Sequence, residues 1–199
     1  MENEKTVPNV FIIESLGFED EKDGLYEGEI ISKILNFSDI KHQYFYIRTK
    51  QEFKHVIGLF EESNYRYLHI SCHGNKNAIS TTLDIIEFNE LALILENVLD
   101  RKRLFISACS SVNQNLADKL LSVSECFSVI GPNKKINMGD AAIFWAAFYQ
   151  LMFKNNRSAM KRDGLENTLK KLNNVYNLPL KYFATSENSM VGWKEVKLK

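Results

Sequence analysis

At 199 residues, with 25 basic and 25 acidic side chains, the chain is long enough for one domain with a substantial core. It carries no net charge to draw it to nucleic acid or a lipid surface. Met1 to Pro8 is polar, which argues against a secretory signal, and the longest apolar stretch, Ala141 to Phe153, is broken by Gln150 and too short for a bilayer. Three cysteines, an odd number without zinc-type spacing, point to free thiols in a reducing compartment, so a cytoplasmic protein is expected.

Asn9 to Glu14 is a continuous apolar run of strand length, read as a buried first strand, and the loop after it is acidic, with Glu19, Asp20, Glu21 and Asp23. Leu25 to Leu35 carries an apolar stripe at helical spacing. Ile40 to Arg48 is rich in aromatic and β-branched residues and predicts a second strand. Thr49 with Glu52 forms a capping box for a helix running to about Glu62. A third strand, Arg66 to Cys72, ends at His73-Gly74, and Ala78 to Phe88 predicts a small β-hairpin before a helix over Asn89 to Leu99. Arg103 to Cys109 is the fourth strand, Asn113 to Leu121 a helix, and Cys126 to Ile130 a fifth strand stopped by Gly131-Pro132. Asp140 stands where an N-cap belongs for an apolar helix to about Lys154. A helix over Gly164 to Asn174, a sixth strand over Lys181 to Thr185 and an edge strand or tail over Val191 to Leu198 complete the chain. Strands alternate with helices, which predicts an α/β sandwich with a mainly parallel six-stranded sheet. No linker or repeat interrupts it, so residues 1–199 are read as a single domain.

The chemistry concentrates at two strand ends. One is an imidazole followed by glycine, His73-Gly74; the other is a thiol followed by two serines, Cys109-Ser110-Ser111. Parallel strands joined by one crossover helix are sheet neighbours, so His73 and Cys109 are expected at the same carboxyl edge, where open α/β sheets bind ligands. A lone buried cysteine is ordinarily a small packing residue, and Cys72 and Cys126 are read so. Paired at one edge, His73 and Cys109 read instead as a base and a nucleophile for acyl transfer. The backbone N–H groups of Gly74 and Cys109 are candidate donors to the oxyanion. Four scattered histidines form no metal-ligand set, and nothing calls for a metal or an organic cofactor.

An apolar strand ending in His-Gly, followed by one ending in Ser-Ala-Cys, resembles the caspase-like (clan CD) cysteine peptidases. Within them the pattern is most similar to the CHAT group, relatives of caspases and separase. Leu83 to Leu91 resembles that group's hairpin leading into a helix, and Cys109-Ser110-Ser111 its separase-type nucleophile turn. Val129-Ile130-Gly131 with Asp140-Ala141-Ala142 and Phe148 to Leu151 resembles the strand and helix that follow. The caspase signature Gln-Ala-Cys is Ser-Ala-Cys here, so a strict aspartate preference is not implied, and Ile136-Asn137-Met138 replaces a common Trp.

The resemblance implies a three-layer caspase-like sandwich and a His73–Cys109 cysteine endopeptidase acting on a protein substrate. It also implies that the first strand borders the specificity pocket. Glu14 at the end of that strand, and Asp140, are therefore candidate substrate-binding carboxylates, favouring cleavage after Arg or Lys. Solvated strand end and helix cap are their ordinary readings. A regulatory or activating protein partner is expected, with neither nucleic acid nor membrane as partner. The helix over Ala141 to Phe153 presents Trp145, Phe148, Tyr149 and Met152, ordinarily core but conceivable as a partner surface. A setting in bacterial antiviral defence, where such peptidases activate a companion protein, is implied by the resemblance alone. The competing expectation is a catalytically silent protein-binding or signalling module on the same architecture.

Overall fold

The computed structural model describes residues 6–122 and 124–198. Residues 1–5 of the polar start, on which the signal-peptide expectation rests, lie outside them. In chain order the elements are β1 (Val7–Glu14), α1 (Phe18–Lys22), α2 (Glu27–Phe37), β2 (His42–Tyr46), α3 (Lys50–Ser63), β3 (Tyr65–Ser71), β4 (His73–Gly74), β5 (Ala78–Ser80) and β6 (Ile85–Glu87). There follow α4 (Phe88–Leu95), β7 (Arg103–Ser107), α5 (Gln114–Leu121), β8 (Ser128–Pro132), α6 (Met138–Asn155), α7 (Arg162–Tyr176), β9 (Leu180–Thr185) and β10 (Trp193–Glu195).

The central sheet runs β10-β9-β8-β7-β3-β1-β2 and has seven strands rather than the six expected, because β10 adds an antiparallel edge. The pairs from β2 to β8 are parallel, and β9 lies antiparallel to β8. A strand buried on both faces sends alternate side chains to two cores. Phe11 and Ile13 of β1 join one core with Phe53 and Phe60 of α3, Leu91 of α4 and Leu116 of α5. Val10 and Ile12 join the other with Ile31 of α2, Phe144 of α6 and Leu165 of α7. Trp145, Phe148, Tyr149 and Met152 are buried in that second core, so they offer no partner surface.

The capping box forms as the spacing predicts: the Thr49 side chain accepts from the Glu52 N–H, and Glu52 accepts from the Thr49 N–H. Helix α6 is capped differently from the expectation. Asn137 Oδ1 accepts from the Gly139 N–H at 2.8 Å, which starts the helix two residues before Asp140 and leaves Asp140 exposed in its first turn. Gly131 does not stop β8. It packs where β7 comes closest, since a Cβ there would stand 2.0 Å from the Ile106 carbonyl oxygen. The predicted hairpin is real but larger: β4, β5 and β6 form a separate three-stranded sheet, and His73 belongs to it.

Candidate active site

Strands β3 and β7 pair in parallel with Ser71 opposite Ser107. The Cys72 N–H continues that pairing by donating to the Ser107 carbonyl at 3.1 Å. His73 and Cys109 therefore leave the sheet at one carboxyl edge, and both line one cavity. Its walls include Leu16 from the end of β1, Glu27 from the start of α2, and Ile136, Met138 and Ala141 from the stretch entering α6. The cavity is small, about 30 Å³.

The turn that presents Cys109 is tightly held. Ser110 adopts a left-handed conformation (φ 62°), a region non-glycine residues seldom occupy, and its N–H donates to the Lys134 carbonyl at 3.1 Å. The Val112 N–H donates to the Pro132 carbonyl at 3.0 Å, and the Asn113 side chain caps α5. Gly74 is required by close approach: a Cβ there would stand 2.2 Å from Ser111 Oγ and 3.0 Å from the Ala108 Cβ. Cys109 Sγ sits 3.5 Å from the Ile136 N–H, which donates to it.

The imidazole has a partner distant in sequence. His73 Nε2 lies 2.6 Å from Asp20 Oδ2 in α1, the short helix formed by the acidic loop. Gly17 leaves room for this pair, since a Cβ there would come within 3.2 Å of Asp20 Oδ2 and 3.6 Å of His73 Nε2. With Asp20 accepting from Nε2, the lone pair resides on Nδ1.

Beside His73 and Cys109 lies a buried polar network. Glu27 is 4 % exposed, accepts from Ser107 Oγ at 2.8 Å, and meets His69 Nε2 at 3.3 Å. His69 Nδ1 in turn lies 3.0 Å from the Tyr149 hydroxyl. The visible sign of this network in the sequence is a histidine and a serine set at the same strand positions where apolar residues otherwise recur.

The two candidate substrate carboxylates lie elsewhere. Glu14 is fully buried and does not line the cavity. It accepts from the Gly28 N–H (2.7 Å), the Glu29 N–H (3.3 Å) and the Tyr44 hydroxyl (2.7 Å), so it caps α2, whose own N-cap Tyr26 makes no side-chain cap. Burial pushes its carboxyl up to about 7, despite these donors. Asp140 is exposed on α6 and likewise outside the cavity lining. Both expectations followed strand and helix ends without the orientation of the side chains, and Glu27 is the carboxylate that reaches the cavity. Burial pushes the Cys72 and Cys126 thiols up to about 12, in keeping with packing roles.

No protein-family model matches the chain, and no curated protein matches it in sequence. Solved structures do match it in fold. Caspase-1 from Spodoptera frugiperda is 13 % identical with a TM-score of 0.54, over 84 % of this chain and 77 % of that one. The Arg-specific cysteine proteinase gingipain R is 12 % identical with a TM-score of 0.56, over 87 % of this chain and 44 % of that one. A secreted C11 cysteine protease from Bacteroides thetaiotaomicron, solved with an irreversible peptide inhibitor, is 9 % identical with a TM-score of 0.58, over 89 % of this chain and 66 % of that one. The mostly parallel sheet, its flanking helices and these likenesses identify the chain as a protein of caspase-like fold.

Proposed function

We propose that the chain is a cysteine endopeptidase in which Cys109 is the nucleophile, His73 the general base and acid, and Asp20 the residue that orients the imidazole. The observation that carries this reading is the cavity at the sheet's carboxyl edge lined by His73, Cys109 and Glu27 together. His73 Nδ1 takes the thiol proton, and the thiolate attacks the carbonyl carbon of the scissile peptide bond. The N–H groups of Gly74 and Cys109 donate to the oxyanion, and the imidazolium then protonates the leaving amine. Water attacks the resulting thioester with His73 again as base, which releases the acid product and restores the thiol.

Glu27 supports a preference for a basic residue before the cut. Its buried carboxylate faces the cavity and takes over the part first expected of Glu14 and Asp140. The structural neighbour gingipain R is itself described as Arg-specific. Half-buried Ile136 and Met138 line the same cavity, and their segment is where a regulatory partner would act. The companion substrate and defence setting belong to the same proposal and rest on the resemblance alone.

The test is cleavage of fluorogenic peptides carrying Arg, Lys, Leu or Asp before the scissile bond, by wild type, Cys109→Ala and Glu27→Gln, each with and without a lysate that supplies activators. Cleavage of the Arg peptide is expected to exceed that of the Asp peptide by about 10²-fold, and Glu27→Gln to erase most of that ratio. Cys109-dependent cleavage with a ratio unmoved by Glu27→Gln would discard Glu27 as the selecting acid. Absence of Cys109-dependent cleavage in every arm would favour the silent binding module.

A further inference from the structure

The sheet has a second concave end. At the amino ends of β3 and β7, opposite the His73–Cys109 edge, a cavity of about 270 Å³ is lined by Arg66, Arg101, Arg103, Lys161, Phe127 and Met160 among others. From Arg103 to Cys109 along β7 is about 20 Å at the rise of a strand. Four cations converge on this space, and among the described residues no carboxylate lines it.

Arg103 is the telling member. It is 8 % exposed, Nη1 donates to Ser128 Oγ at 2.8 Å, and among the described residues no carboxylate pairs with it. Its guanidinium carbon otherwise lies over the Phe127 ring, 5.3 Å from the centroid. A buried charge without a counter-ion is costly, and stacking on a ring recovers only part of that cost. Arg66 is aimed by neutral oxygens, from Nε to Thr6 Oγ1 at 2.8 Å and from Nη1 to the Ser158 carbonyl at 3.2 Å. Neither Arg101 nor Lys161 makes an ion pair among the described residues. Lys161 is also the N-cap of the 15-residue helix α7 and makes no side-chain cap, so the positive end of that helix adds to the field.

Two nearby carboxylates, Asp100 and Asp163, stand outside the cavity lining. Asp100 accepts from the Glu125 N–H at 3.2 Å, and Asp163 sits in the first turn of α7 outside the cavity lining.

We propose that this cavity binds a phosphate-bearing small molecule, its phosphates held by Arg66, Arg101, Arg103 and Lys161. Planar guanidinium forks suit phosphate oxygens, and several cations around one small space call for a ligand with several negative charges. The size is that of a small-molecule site rather than a track for a polymer. Phe127, 36 % exposed beside Arg103, offers a ring face to any base or other flat group the ligand carries. The proposal does not depend on the peptidase reading.

The test is isothermal titration of the full chain with sodium tripolyphosphate and, separately, with ATP, at low and at physiological ionic strength. Wild type is expected to bind tripolyphosphate with one site, more weakly as salt rises. The Arg101→Gln/Lys161→Gln double variant, changed at exposed positions, is expected to bind at least about tenfold more weakly. Arg103→Met is expected to lose binding while circular dichroism reports an intact fold. ATP binding tighter than tripolyphosphate would support a stacked base on Phe127, and equal binding would support recognition through phosphates alone. No binding of either probe at millimolar concentration, or equal binding by wild type and the double variant, would overturn the site.

Discussion

Cys72 and Cys109 line the same cavity, one residue apart in register and both half-buried, yet the backbone that presents them differs. Cys72 stands at the bend between β3 and β4, where burial pushes its thiol up to about 12. At pH 7 that leaves about one part in 10⁵ as thiolate. Cys109 stands on a turn whose next residue is held at φ 62°, with the Ile136 N–H 3.5 Å from its sulfur and His73 on the same cavity wall. The pair teaches that a strand end alone does not fix how a thiol is presented. The left-handed turn after Cys109 and the burial that raises the Cys72 thiol distinguish the two.

The sharpest way to break the comparison is to remove the Cys109 thiol. Cys109→Ala is expected to lower kcat/KM for a cleaved peptide by at least about 10³-fold, read by fluorogenic assay, with an unchanged melting temperature. If the activity survives, the nucleophile lies elsewhere.

A smaller effect is expected from the imidazole's support. Asp20→Asn keeps the shape of the contact to His73 Nε2 but offers an NH₂ group as readily as an oxygen, so the ring is no longer held in the Nδ1-basic tautomer. A loss of about 10²-fold in kcat/KM is expected, together with a change in the pH–rate profile that a purely structural residue would not produce. An unaltered profile would reduce Asp20 to a surface contact.

Burial raises a carboxyl as it raises a thiol, and Glu14 shows the consequence for stability. Its carboxyl is pushed up to about 7 from an ordinary value near 4.5. The unfolded chain therefore releases this proton first, and stability falls as pH rises from about 4.5 through 7, by roughly 3 kcal/mol in all. Below 4.5 both states hold the proton and no cost remains. Glu14→Gln cannot ionise, so its urea midpoint is expected to fall less than that of wild type between pH 5 and pH 8. Parallel profiles would mean that the helix cap, not the ionisation, governs this site.

Much of this arrangement is legible in the sequence where the information is local. The Thr49–Glu52 box lies within one helical turn, and the apolar runs of β1, β3 and β7 announce strands buried on both faces. The His73–Cys109 cavity follows from strand order, which two strands and one crossover suffice to suggest. What is not legible is supplied by distant segments. The cap of α2 comes from Glu14 on β1, and the partner of His73 comes from Asp20, 53 residues earlier. The Glu27–His69–Ser107 network draws on one helix and two strands. In each case the sequence displays a charged residue in an acceptable place, and only the fold decides which side chain it meets. The misplaced cap at Asp140 has a simpler origin: Asn137 offers the same chemistry three residues earlier, and the helix begins at the first adequate cap.

The most direct measurement is the rate of alkylation of each cysteine in the native wild-type protein, read by peptide mass spectrometry after limited iodoacetamide treatment between pH 6 and pH 9. Cys109 is expected to be modified first, the Asp20→Asn and His73→Ala variants to slow it, and Cys72 and Cys126 to stay unmodified until the protein is unfolded. Labelling of Cys72 at the rate of Cys109, or a Cys109 rate indifferent to His73, would contradict this expectation.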